Sequence, residues 1–94
     1  MIKGFADDAT KRFFKTGQCP RGWQAFANVA ARKLDLLNRV VSVEQLRIPP
    51  GNRLEKLQGN RKGQWSIRIN DQWQVCFRWD DDLGPRNVEI VDYH

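Results

Sequence analysis

The chain has 94 residues, with 16 lysines and arginines against 11 aspartates and glutamates and a formal charge of +5. This length predicts one compact domain over residues 1–94 and excludes a barrel or a two-domain nucleotide binder, because both need longer chains. No apolar run approaches the about 20 residues of a membrane span, and residues 1–5 are not typical of a secretory signal. Cys19 and Cys76 make neither a disulfide framework nor a zinc quartet, so we expect a small basic domain of the reducing cytoplasm.

The first half of the chain predicts a short strand followed by two helices. Residues 2–5 favour the strand, Asp7 and Asp8 suit the start of the first helix, and Gly17 suits its end. A long second helix follows, because apolar residues recur there at steps of three or four; they are Trp23, Ala27, Ala30, Leu34, Leu37 and Val41. We expect this stripe to pack in the core.

The second half predicts an antiparallel meander. After a turn near 43–46 and a Pro-Pro-Gly-Asn loop at 49–52, apolar residues alternate with polar ones over 64–70 and 73–79, and a last strand covers 87–91. The order of elements predicts an α+β fold, a small antiparallel sheet with a mixed edge and two N-terminal helices packed on one face. The other face is expected to be a polar platform for a nucleic-acid backbone, formed by Ser66, Arg68, Gln74 and Arg78.

The positive charge is concentrated in the middle of the chain. Residues 47–68 carry a net charge of +5, residues 1–46 carry +4 and residues 69–94 carry −4. Such a basic segment is typical of a surface that binds nucleic-acid phosphates, although it also fits a solvated loop that keeps the protein soluble.

Few residues could carry out chemistry. The sequence has no glycine-rich phosphate loop, no Ser/His/Asp spacing and no spaced set of metal ligands, so neither a metal nor a cofactor is expected. The only tyrosine and the only histidine, Tyr93 and His94, directly follow Asp92. RNA is cleaved without a metal when one group takes the 2′-OH proton, another protonates the leaving oxygen and cations stabilise the phosphate. From spacing alone, the triplet fits either such a site or a frayed tail.

Several segments resemble the HigB branch of the RelE/ParE toxin superfamily, the plasmid-maintenance killer type. They are PPGNRLEKL at 49–57, GNRKGQWSIRIN at 59–70, QWQVCF at 72–77, the opening MIKGF and the ending VEIVDYH. The resemblance implies a RelE/ParE-like fold and a type II toxin, a ribosome-dependent, metal-independent endoribonuclease that cleaves translated mRNA in the A site. It implies as partners a HigA-like helix-turn-helix antitoxin, the ribosome and mRNA, and operator DNA through the antitoxin complex.

The resemblance also implies roles for individual residues. In the terminal cluster His94 would transfer protons, Tyr93 would stack on or orient the nucleotide, and Asp92 would position its neighbours. Gln58 and Gln74 stand where relatives carry lysine and arginine, so two cations are missing. We expect Arg61 and Arg68 to replace them and count Arg68 among the catalytic residues. The expected RNA-binding residues are Arg53, Lys56, Arg61, Lys62, Gln74 and Arg78.

Two other functions stay open at this point. A ParE-like inhibitor of DNA gyrase would cut no RNA; the missing cations favour it and the Asp-Tyr-His ending disfavours it. A nucleic-acid-binding domain without chemistry is the third possibility. Apolar residues of the N-terminal helices could dock the antitoxin, although most are expected in the core; they are Phe13, Phe14, Trp23 and Phe26.

Overall fold

The structure, a computed structural model, describes residues 1–92, and Tyr93 and His94 lie outside the described residues. Its α-helices and strands are α1 (Asp8–Thr16), α2 (Ala27–Arg39), β1 (Glu55–Lys56), β2 (Trp65–Arg68), β3 (Trp73–Asp80) and β4 (Gly84–Asp92). Short 3-10 segments lie between them, at Arg21–Phe26, Val43–Arg47, Pro50–Asn52 and Gly59–Arg61.

The ends of α1 follow from its sequence. The Asp7 side chain accepts a hydrogen bond from the Thr10 amide at 2.7 Å, and Gly17 adopts the left-handed conformation (φ 78°) that ends the helix. The buried Thr10 hydroxyl accepts from the Ile90 amide at 3.1 Å. This bond fixes α1 against β4.

The prediction of one long second helix is wrong at both ends. Residues 21–26 form a 3-10 segment, α2 begins only at Ala27 and ends at Arg39, and Val41 is exposed. The 3-10 segment nearly eclipses side chains three residues apart, so Trp23 and Phe26 both reach Trp73, with ring centres 6.4 and 4.9 Å away. Tertiary packing of these rings therefore overrides the helical period.

The four strands form one antiparallel sheet in the order β1-β2-β3-β4. The expected strand at 2–5 is reduced to a single parallel bridge between Phe5 and Val88. Around it the Ala6 amide donates to the Val88 carbonyl at 2.9 Å, and the Val88 amide donates to Gly4 at 3.1 Å. The sheet itself is antiparallel throughout, and the expected mixed edge amounts to this one parallel bridge.

The helices cover one face of the sheet, which confirms the predicted α+β arrangement. Phe13 of α1, Leu34 and Leu37 of α2, and Val75 and Phe77 of β3 are buried in a common core.

The opposite face is not the uniformly polar platform that was expected. Ser66 is only 2% exposed and Cys76 is fully buried. Cys76 pairs in register with Ser66 and Glu89, and Arg61 reaches over from its 3-10 turn to Glu89. This ion pair closes one end of the face and leaves the end at Arg68 open.

Candidate functional site

A small polar pocket lies at the open end of the outer face. Arg68 of β2 and Gln74 of β3 are register partners and project to the same side. Arg53 and Glu55 border them from β1 and the loop before it, and Asn70 and Asp71 border them from the β2–β3 turn, around a volume of about 110 Å³. The structure thus brings together three of the expected residues, Arg53, Arg68 and Gln74.

The loop that presents Arg53 is held by a buried asparagine. Asn52 is completely buried and donates to the Leu46 carbonyl at 3.1 Å and to the Ile48 carbonyl at 3.4 Å. Its carbonyl oxygen accepts a hydrogen bond from the Lys33 ammonium. Arg53 itself adopts a left-handed backbone (φ 47°) and is exposed. Asn52 therefore fixes the turn from which the Arg53 side chain leaves.

Burial has an electrostatic consequence for Lys33. The pKa of its ammonium is lowered, first by desolvation and then by the neighbouring charge of Arg32. Lys33 thus links α2 to the loop through a partly desolvated ammonium group. No sequence pattern indicated a role for Lys33 or Asn52.

Arg68 has an acidic neighbour that is easy to displace. Its guanidinium contacts the Asp71 carboxylate, and the Asp71 side chain is 97% exposed whereas that of Arg68 is 30% exposed. An ion pair with one fully solvated partner contributes little stability. A phosphate could therefore replace Asp71 at low cost.

Gln74 carries an unsatisfied polar atom. Its side-chain oxygen Oε1 is buried and has no hydrogen-bond partner within residues 1–92. A buried acceptor without a donor costs free energy, and this oxygen belongs to a residue that lines the pocket of Arg53 and Arg68. The position thus lacks a hydrogen-bond donor, which a ligand could supply.

Asp92 lies at the same end of the sheet but on its other side. Asp92 pairs in register with Trp73, and the Trp73 ring contacts the aromatic side chains of the 3-10 segment. Because register partners lie on the same face of a sheet, Asp92 belongs to the helix-covered face. The Gln72 side-chain amide donates to the Asp92 carboxylate at 2.8 Å. Tyr93 and His94, expected to act with Asp92, lie outside the described residues.

Two of the remaining expected RNA-binding residues, Lys56 and Lys62, form a second group. Lys56 and Lys62 line a separate hollow of about 230 Å³ together with Gln58. The Lys56 ammonium lies 5.3 Å from the centre of the Trp65 ring. Trp65 and Arg68 are three residues apart on β2, about 10 Å along the strand, so the two groups do not share one pocket.

Arg61 is not placed as a phosphate ligand of the pocket. Its guanidinium donates to Glu89 at 2.7 Å and to Gln64 at 3.1 Å, and both partners of the ion pair are mostly buried, with 29% and 22% of their side chains exposed. The preference for Arg61 as a replacement cation is therefore not supported by its position. Glu89 lies in register with Cys76 on the outer face, and its partner Arg61 belongs to a 3-10 turn.

Both cysteines are free thiols. Burial raises the pKa of the Cys76 thiol to about 11, and the nearby Arg61 only partly opposes this effect. Within residues 1–92, no group of three or more His, Cys, Asp or Glu side chains is arranged to hold a metal ion. No helix in the same range is both long and apolar enough to cross a membrane.

Comparison with known proteins identifies a family model over nearly the whole chain and relatives over parts of it. The family model for the RelE-like toxin of type II toxin–antitoxin system HigB matches residues 3–94. Toxin HigB-1 of Vibrio cholerae is 50% identical over 57 residues, and the match spans 61% of this chain and only 60% of that toxin. An uncharacterized protein of Haemophilus influenzae is 33% identical over 79 residues, 83% of this chain and 78% of that protein.

A solved structure gives a likeness of fold. The YoeB/ParE toxin from Agrobacterium tumefaciens superposes with a TM-score of 0.51 at 19% identity, covering 99% of this chain and 96% of that one.

Proposed function

This chain belongs to the family of HigB-like, RelE-like toxins of type II toxin–antitoxin systems, and we propose that it is an endoribonuclease that cleaves translated mRNA on the ribosome. The proposed reaction takes place in the ribosomal A site without a metal ion: a 2′-OH attacks the adjacent phosphate, the P–O2′ bond forms as the P–O5′ bond breaks, a base takes the 2′-OH proton and an acid protonates the leaving 5′-oxygen. It takes place in the cytoplasm, where ribosomes translate. A helix-turn-helix antitoxin of the HigA kind is the proposed inhibitor, and their complex is proposed to bind operator DNA.

The pocket of Arg53, Arg68 and Gln74 is the observation that carries this proposal. Two guanidinium groups border one small polar hollow, and arginine donors match the oxygens of a phosphate in charge and geometry. The extra negative charge of the pentacovalent phosphate is where fixed cations contribute most to the rate. These two arginines supply the cations that Gln58 and Gln74 do not.

Gln74 has a different role from the arginine expected at its position. Its buried Oε1 is an acceptor, so it would receive a hydrogen bond from a ribose hydroxyl or a base N–H and not bind a phosphate oxygen. Such a bond would orient the nucleotide whose 2′-OH attacks.

The proton transfers are assigned to the residues after β4. Asp92 is held at the end of that strand by Gln72, and Tyr93 and His94 follow it in the sequence. We assign proton transfer to His94 and nucleotide orientation to Tyr93, with Asp92 as a positioning residue. The ribosome would supply the remaining substrate positioning.

The second basic group would bind RNA outside the reacting nucleotide. Lys56 and Lys62 line the hollow next to the 3-10 turn at Gly59–Arg61, and the Arg78 guanidinium adds a third charge beside Gly63. Contacts with backbone phosphates of this kind add affinity that falls steeply with salt. Their removal should weaken ribosome binding and leave the cleavage step of the bound complex nearly unchanged.

The experiment is mapping of mRNA 5′ ends in a reconstituted translation system. Wild-type toxin should produce codon-phased ends that depend on ribosomes, and a 2′-deoxy nucleotide at the cut site should abolish them. Arg68→Gln should cleave about a hundredfold more slowly, and His94→Ala should not cleave. Arg32→Gln, an exposed change on α2, is the matched control and should cleave normally.

Three outcomes would contradict the proposal. Wild-type rates with Arg68→Gln would remove the pocket from the mechanism, and wild-type rates with His94→Ala would remove the proton-transfer assignment. An absence of new ends, together with inhibition of DNA supercoiling by gyrase, would replace the ribonuclease by a gyrase inhibitor.

A further inference from the structure

A second, larger groove lies at the opposite edge of the sheet from β1. It is bordered by residues 1–5, by α1 and by Asn38 of α2, and its volume is about 430 Å³. Residues 3–6 run along β4, whereas the pocket of Arg53 and Arg68 lies on β1, β2 and β3. The groove and the pocket are therefore on different parts of the surface.

The groove has an aromatic lining. Phe5 and Phe14 are half-buried, and their rings lie 5.7 Å apart at an angle of 40°. Tilted rings at this distance pack on one another and leave apolar surface beside them. The volume accommodates one or two apolar side chains of a partner.

The rim of the groove is positively charged. Lys3, Lys11 and Lys15 line it and are exposed, and no aspartate or glutamate is among its lining residues. This contrasts with Arg12 of α1, which does not line the groove and is paired with Asp8. The complementary partner is therefore acidic around an apolar anchor.

The N-terminal segment that borders the groove is held by hydrogen bonds to α2 and β4. The Ile2 amide donates to the Asn38 side chain at 2.8 Å, and the Lys3 amide donates to the Pro85 carbonyl at 2.8 Å. The Gly4 carbonyl and the Ala6 amide both form hydrogen bonds with Val88 of β4. The N–H and C=O of Phe5, which lies between them, therefore point away from β4. An extended peptide could pair with these two main-chain groups, which favours a protein segment over RNA.

We propose that this lysine-rimmed groove binds an acidic segment of the antitoxin, with an apolar side chain seated beside Phe5 and Phe14. The proposal rests on the antitoxin partner of the proposed function. Because the groove is separate from the pocket, the antitoxin would inhibit by adding bulk that keeps the toxin out of the A site. The pocket itself would stay open in this complex.

Charge reversal on α1 tests this docking surface. The double variant Lys11→Glu/Lys15→Glu should bind the antitoxin from the same operon about a hundredfold more weakly, because two interfacial charge pairs become repulsive. The matched control Arg21→Glu/Arg32→Glu makes the same change in net charge at two exposed sites outside the groove. The control should bind within about threefold of wild type. Titration calorimetry with the full-length proteins measures both.

A neutral variant guards against an effect on folding. Lys11→Gln/Lys15→Gln adds no negative charge to α1, and it should keep the circular dichroism of wild type and lose about tenfold in affinity. Wild-type affinity of both lysine variants would overturn the proposal. An equal loss in the arginine control would also overturn it, because the effect would then be one of net charge.

Activity separates this proposal from the ribonuclease proposal. Without antitoxin, Lys11→Glu/Lys15→Glu should cleave mRNA like wild type, and with antitoxin it should escape inhibition. If wild type cleaves no mRNA, the ribonuclease proposal fails while the calorimetry still decides the docking site. If the double variant loses ribosome binding or self-association but keeps antitoxin affinity, the groove belongs to RNA or to a second copy, and the proposal is refuted.

Discussion

The buried side chain of Asn52 offers the sharpest test of how the pocket is built. Replacing it by alanine removes the two donor contacts to Leu46 and Ile48 and the acceptor of Lys33. All of these groups lie at the base of the loop that presents Arg53. The change therefore perturbs the loop without altering any charge of the pocket.

The size of the effect follows from the individual contacts. The Leu46 carbonyl loses a donor at 3.1 Å in a fully buried setting, which costs about 1–3 kcal/mol. The Ile48 contact at 3.4 Å is long and adds little, and Lys33 can turn partly toward water. We expect a loss of about 2–3 kcal/mol in the free energy of unfolding, a large share of the roughly 5–15 kcal/mol of a small domain.

Urea denaturation followed by tryptophan fluorescence measures this loss. Asn60→Ala, at an exposed position of a 3-10 turn, is the control and should change the free energy of unfolding by less than about 0.5 kcal/mol. Lys33→Met keeps the donors of Asn52 and should cost less than Asn52→Ala. If Asn52→Ala were as stable as the control, or if Lys33→Met cost more, the carbonyl contacts would not be what holds the loop.

Three further predictions concern the closed end of the outer face. Cys19 should react with a thiol reagent in the folded protein and Cys76 should not. Burial raises the pKa of Cys76 from about 9 to about 11, so the free energy of unfolding contributed by its protonated thiol is present below pH 9 and is lost as the pH rises to 11. Cys76→Ala should therefore lose less stability over that interval than wild type does. Arg61→Gln should lower the free energy of unfolding by about 1–2 kcal/mol, since it leaves the mostly buried Glu89 without its cation, and it should reduce mRNA cleavage far less than Arg68→Gln does. Gly63→Ala should cost at least about 1 kcal/mol, because the residue has φ +91° and an added Cβ would come within 2.6 Å of a guanidinium nitrogen.

Each of these predictions has a control and a contrary result. Cys19→Ala should abolish labelling of the folded protein, and equal labelling of both thiols in the folded state would contradict the burial argument. A double-mutant cycle of Arg61→Gln with Glu89→Gln should show coupling, and simple additivity would mean that the pair contributes nothing. Gly4→Ala, where no atom lies within 4 Å of an added Cβ, should be nearly neutral, and a loss equal to that of Gly63→Ala would refute the strain argument.

Local sequence patterns predict most of the fold. The alternation around Trp65 and Val75 predicts β2 and β3, because a strand turns every second side chain to the core. Asp7 and Gly17 mark α1 correctly, because their side-chain and backbone preferences act over a single turn. These features depend on near neighbours in the chain.

The errors arise where distant groups decide the structure. The 3-10 segment at Arg21–Phe26 forms because two aromatic rings reach Trp73, which lies far along the chain. The burial of Ser66 and Cys76 depends on a turn that folds over the outer face. A period of two identifies the two faces of a strand but does not show what covers each face.

The candidate site was predicted in part for the same reason. Arg68 and Gln74 lie on one face of adjacent strands, so their proximity follows from pattern and register. The residues that support Arg53 are Lys33 and Asn52. They come from a helix and a loop, and no periodicity in the sequence connects the two. The roles of Tyr93 and His94 stay predictions, since both lie outside the described residues.

The left-handed backbone at Arg53 has a consequence for how this protein could change under selection. A side chain at φ 47° and ψ 56° costs about 1–2 kcal/mol relative to glycine. Glycine or asparagine there would strengthen the fold and delete a cation of the pocket. In a library randomised at this position, sorting by protease resistance should enrich glycine and asparagine, whereas sorting by growth arrest should retain arginine. Selection for stability and selection for growth arrest would therefore favour different residues at position 53.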